Sequence, residues 1–134
     1  MSGVAIIVQL MLADAGVVAL VDPDSIVGDI LPEGSTLPGI SVLSISRVEH
    51  NPLTKQPKRL VTERVQAKVM SDDAPTRAAV LAAVRKAAAY AFPPFEGLTD
   101  IVVILYGAGP DGRDVETGIR SQLQDFQVSY NEPA

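Results

Sequence analysis

The chain has 134 residues, 47% apolar and 20% charged, ordinary proportions for a folded globular protein, so wholesale disorder is excluded. It carries no cysteine and one histidine, His50, which rules out disulfides, thiolate metal sites and a structural zinc site built from this chain alone. With 11 basic against 16 acidic residues, the net charge of −5 repels phosphate backbones and argues against tight duplex binding, and the length suits one domain over residues 1–134.

Val4 to Ala13 has too few polar residues for an amphipathic surface helix and reads as a helix covered around most of its circumference. No Lys or Arg precedes it, Gln9 interrupts it, and it is too short to span a bilayer. It therefore reads as a buried helix and not as a targeting or membrane segment. Asp14 can cap a second helical turn, Ala15 to Leu20, which Asp22-Pro23 ends. Ser25 to Ile30 reads as a short extended piece, and Leu31-Pro32-Glu33-Gly34-Ser35 as a turn-rich link. Ile40 to Val48 has strand composition, with Ile40 and Val42 on one face and Leu43 and Ile45 on the other.

The polar segment EHNPLTKQPK follows, then RLVTERVQAKVM over residues 59–70. Val61, Glu63, Val65, Ala67 and Val69 share one face there, while Thr62, Arg64, Gln66 and Lys68 take the other. Such alternation predicts a half-solvated antiparallel strand that forms a long hairpin with the one before it. The hairpin tip is longer than reversing the chain requires, and excess loop of this kind commonly serves contact. Ser71-Asp72-Asp73 before Ala74-Pro75 marks a helix start, with an apolar stripe of Val80, Leu81, Val84, Ala87 and Ala88 running to about Tyr90. Pro93-Pro94 forbids its continuation.

The last third reads as two strands, 100–106 and about 118–130, joined by a glycine-rich loop. Phe126, Val128 and Tyr130 share a face opposite Ile119 and Leu123. This change of apolar phase predicts a bulge, or a strand buried on different sides at its two ends. The expected fold is α+β: a mixed, mostly antiparallel sheet with the N-terminal helix and an alanine-rich helix packed on it, and two protruding hairpin loops.

Within that loop, Gly107, Gly109 and Gly112 of GAGPDG match the G-x-G-x-x-G spacing of a dinucleotide-binding turn. Such a turn works by leading directly into a helix whose N-terminus holds the pyrophosphate. Here Gly118 and strand-like alternation follow, and 22 residues remain after Gly112, too few for a complete βαβ unit. Asp111, Asp114 and Glu116 also place negative charge where a phosphate would sit, so the motif reads as accidental. Calcium fares no better, because Arg113 and Val115 fall on donor positions of the loop that begins at Asp111.

His50 has no nucleophile elbow to serve, and Glu33, Glu49, Glu63 and Glu96 show no paired spacing. Arg47, Lys55, Lys58 and Arg59 gather near the first hairpin loop without aromatic stacking partners. No catalytic residue, cofactor site or metal site is expected.

Several stretches together carry a resemblance. LADAGVVALV precedes LPEGSTLPGI, then come RLVTERVQ, the alanine-rich helix, and a closing Gly109-Pro110-Asp111-x-Arg113-Asp114, Gly118-Ile119 and Gln124-Asp125-Phe126-x-Val128-Ser129-Tyr130. Over nearly its whole length the chain resembles the tail-completion, or tail-terminator, proteins of long-tailed bacteriophages and prophages. The resemblance implies a small α/β subunit of a homo-oligomeric ring, usually a hexamer, that caps the tail tube, stops its elongation and joins tail to head. Its implied partners are further copies of itself, the major tail-tube protein and a head–tail connector, with DNA only passing through the channel and no membrane. It implies a place in the virion at the head–tail junction after assembly in the host cytoplasm.

On this reading Leu53, Thr54, Lys55 and Gln56 of the first tip reach a neighbouring subunit or the tube. Asp111, Arg113 and Asp114 in a 109–117 loop lie at the subunit seam, where Arg113 pairs with a carboxylate. The rival readings are a neck-adaptor ring, a nucleotide- or ligand-binding enzyme resting on the glycine loop, and a single-strand nucleic-acid binder using the basic hairpin.

Overall fold

Period-two alternation in the middle of the chain builds a long central strand, and the other strands assemble around it. The computed structural model describes residues 2–134, the side chain of Pro110 aside. Its elements are α1 (Ser2–Ala13), α2 (Ala15–Val18), β1 (Ile26–Val27), β2 (Gly39–His50), β3 (Lys58–Ser71), α3 (Ala74–Ala88), β4 (Thr99–Arg113) and β5 (Arg120–Pro133). The sheet has the order β1-β2-β3-β5-β4, with β1 parallel to β2 and the remaining neighbours antiparallel. The architecture is α+β.

On β3 the expected alternation holds residue by residue: Val61, Glu63, Val65, Ala67 and Val69 are fully buried, while Arg64 and Lys68 are exposed. α1 and α3 cover this buried face, and Ile6, Ile7, Met11, Val80, Leu81 and Val84 join Phe126, Val128 and Tyr130 in one core. Burial of Val80, Leu81 and Val84 contributes about 1.5–3 kcal/mol each. Asp14 accepts the Val17 amide at 3.0 Å and Asp73 accepts the Thr76 amide at 2.7 Å, so both expected helix starts are capped. The bond from Thr76 holds the Asp73 carboxyl below its ordinary range.

α1 is covered around most of its circumference, as expected, with Ala5, Gln9, Leu12 and Ala13 left exposed. Three expectations need correction. α3 ends at Ala88, not Tyr90; Tyr90 takes a left-handed φ of 49°, which redirects the chain to bridge Ala91 with Val103.

The glycine-rich stretch is not a loop. Residues 107–113 continue β4 and pair with β5 as far as Arg113 opposite Arg120. Their small size is what permits this: a Cβ at Gly109 would come within 2.8 Å of Leu123, and one at Gly112 within 2.9 Å of the Ser121 hydroxyl.

Nor does β5 change phase, since it pairs with β3 without a break from Lys58↔Pro133 to Ser71↔Arg120. Gln124 keeps the inward register as a fully buried polar residue, donating to Gly107 O at 3.0 Å and accepting from Arg85 at 2.6 Å. The irregularities fall instead on β4, between Leu105 and Gly107 and between Ala108 and Asp111, and on β2 between Ser44 and Ser46.

Candidate assembly surfaces

The first hairpin loop, residues 51–57, stands clear of the body. Leu53 has the exposure of a free side chain, and Thr54, Lys55 and Gln56 are exposed beside it. Two bonds steady the loop: Gln56 Nε2 donates to Thr54 Oγ1 at 3.1 Å, and the Ala134 amide donates to Pro57 O at 3.1 Å.

The second loop is shorter than expected, a turn over residues 114–119 closed by Asp114 N to Ile119 O at 2.8 Å. Asp114 is occupied inside that turn, accepting the Glu116 amide at 2.9 Å and the Thr117 amide at 3.3 Å. Asp111 lies on β4, not in a loop, and accepts from Arg77 of α3 at 3.0 Å. Arg113 is the last residue of β4, exposed and directly across from Arg120. The structure thus leaves the first tip's residues together, but gives Asp111 and Asp114 internal partners and separates their surroundings from those of Arg113.

The basic cluster dissolves once the carboxylates of the same hairpin and of β5 are placed. Arg47 pairs with Glu49 at 3.1 Å and also with Glu132, and Arg59 reaches Glu49 at 3.1 Å. The hydrogen bonds from Arg47, the largest cause, and from Arg59 hold the Glu49 carboxyl below its ordinary range. Lys58 donates to Thr99 at 3.2 Å, which leaves Lys55 as the cation projecting from the tip. Beneath this cluster Arg47 donates to the Tyr130 hydroxyl at 2.8 Å, and that hydroxyl donates to Glu63 at 3.1 Å. Burial raises the Tyr130 pKa, and the neighbouring Glu63 raises it further. Glu63 also accepts the Gly3 amide in the first turn of α1, a favourable place for a carboxyl.

The face of the sheet opposite the helices carries residues that the sequence alone did not single out. Arg64 donates to Asp125 at 3.0 Å and lies 4.7 Å from the centre of the Tyr106 ring, while Gln66 donates to the same carboxylate at 3.0 Å. The outward phase of Arg64 and Gln66 was visible in the alternation of β3; their partners across β5 and β4 were not.

Among the described residues, β1 pairs with the outer edge of β2 only at Ile40 and Ser41, and the chain bridges the outer edge of β4 only where Ala91 meets Val103. Exposed apolar side chains stand along both margins: Leu43, Ile45 and Val48 on β2, and Tyr106 on β4 with Tyr90 and Phe92 nearby. The glycine segment, extended and followed by a turn and another strand, lacks the helix N-terminus that a pyrophosphate cradle requires. Among the described residues, no helix is long and apolar enough to cross a membrane.

No protein-family model matches the chain, and no curated protein matches it. Among solved structures, a chain from the virion of a native gene transfer agent particle shares the fold, with a TM-score of 0.66 and 22% identity. The match covers 93% of this chain and 91% of that one.

Proposed function

We propose that this chain is a structural virion protein, one subunit of a homo-oligomeric ring that caps a phage-type tail tube, ends its elongation and presents the surface for head joining. The observation that carries this reading is the end-to-end likeness in fold to a chain of a virion particle. A hexameric ring, a tube protein beneath it, a connector above it and a place at the head–tail junction belong to the same proposal. The acidic balance suits a channel that DNA crosses without sticking.

The surfaces support assembly. A head-to-tail ring joins two different patches on each copy, and this subunit offers distinct patches at its two sheet edges and its tip. Leu53, Thr54, Lys55 and Gln56 would meet a neighbour or the tube. Asp111 and Asp114 would shape the seam through the strand end and the turn, and Arg113 would carry its charge.

Arg113 faces Arg120 across the strand pair, a like-charge arrangement that costs energy on its own. Among the described residues no hydrogen bond or ion pair engages Arg113. A carboxylate from an adjoining copy would relieve that repulsion. Arg113→Glu is expected to weaken ring closure about tenfold, the worth of roughly 1.4 kcal/mol, while the subunit stays folded and gains slightly in stability from its opposite-charge pair with Arg120. Light scattering on that variant reads the effect, and assembly equal to wild type would remove the role.

A further inference from the structure

The two open edges match each other in ways that a chance pair of edges would not. Along β2, the run Val42-Leu43-Ser44-Ile45-Ser46 has no charged residue and no proline. Along β4, Ile104-Leu105-Tyr106-Gly107-Ala108 has none either. Neither run carries the lysine, proline or inward charge that commonly guards an edge, and the single bulge in each is the guard that pairing would have to accommodate. Leu43 is 39% exposed, Ile45 48% and Tyr106 59%, so each run displays an apolar side chain to water.

The runs also lie at the same height. Tracing the pairing across the sheet, Ser46 leads through Arg64 and Gln127 to Ile104. Val42 leads in the same way through Ala67 and Gln124 to Ala108. Each run holds one irregular step, at Ile45 on β2 and at Tyr106 on β4, and these too are nearly level.

Strand direction completes the match. β2 runs with β5 and against β3 and β4, so the two edges point in opposite senses. Copies related head to tail around a ring share one sense, and β2 of one would therefore meet β4 of the next antiparallel, continuing the pattern inside each subunit.

Resting on the ring reading above, we infer that the subunit seam is a strand pairing, with residues 42–46 of one copy laid antiparallel against residues 104–108 of the next. The occupant of each edge is a second copy of this chain, because the partner that matches in height, direction and lack of charge is its own opposite edge. At the lower end β1 holds the β2 edge at Ile40 and Ser41, so the neighbour's β4 must leave the sheet edge beyond Ala108, where its own pairing is irregular between Ala108 and Asp111.

The absence of native cysteine makes the test direct. Wild-type protein is first weighed by light scattering up to its solubility limit, and the Ser46→Cys/Ile104→Cys double variant is then oxidised alongside each single variant. The expected result is a ring-sized wild type and, from the double variant alone, a covalent ladder at multiples of the chain mass. A single variant that crosslinks as fast and as fully as the double variant would mean that like edges meet, and would overturn the seam. An assembled double variant without a ladder would overturn it too, while leaving the ring reading in place. A wild type that stays monomeric both alone and with phage-type tail tubes removes both. As a second arm, Ile45→Lys and Tyr106→Lys should each give monomers with the circular-dichroism spectrum of wild type; full assembly in either would contradict the pairing.

Discussion

Glu63 sits on the apolar face of β3 with its side chain wholly out of water, and everything near it is arranged around that carboxyl. Gly3 suits this place because a Cβ there would collide with Glu63 Oε2, which would push α1 away from its own hydrogen-bond acceptor. Tyr130 supplies the second donor and is itself fully buried. Tyr130→Phe keeps the ring and removes that donor. Glu63 Oε2 keeps the Gly3 amide, so the loss is that of one net hydrogen bond, ~0.5–1.5 kcal/mol, which denaturant unfolding of the variant should show. A loss under about 0.5 kcal/mol, the scale of an ordinary surface change, would mean the contact contributes little.

Alternation placed Glu63 on the inward face, but its partners lie 60 and 67 residues away and no spacing pattern announces them. The same holds for Arg77 with Asp111 and for Arg85 with Gln124. Long polar pairs are set by how the elements pack, which local periodicity does not encode.

Among the elements, those with regular side-chain patterns were the legible ones. β3 declared itself by period two, and α3 by its cap, its proline and its apolar stripe. Leu81 in that stripe is 9% exposed, against the core side of the sheet. Leu81→Asp would bury a carboxyl with no partner and is expected to prevent soluble folding; a circular-dichroism melt indistinguishable from wild type would refute the placement. β4 was legible only to Tyr106. Past that point glycine and proline leave no alternating side chains to read, yet those same small residues let the strand lie close against β5. Gln124 hid the phase of β5 for a related reason, being polar at a position that faces the core. The turn at 114–119, though shorter than expected, was still legible in outline from its Asp and Gly.

At the scale of the molecule, one face of the sheet is sealed by helices, while both edges and a tip remain available. Mixed α+β architecture and two hairpins follow from the order of patterned segments. The pairing of the edges does not, because it depends on strand order and register, which emerge only when β5 inserts between β3 and β4. That insertion sets β2 and β4 at opposite margins with opposite directions, as a repeating head-to-tail contact needs.

The most direct measurement is negative-stain imaging of the purified chain with and without phage-type tail tubes. The account predicts rings of uniform diameter seated at tube ends. Tubes with bare ends beside a protein that remains monomeric would contradict it.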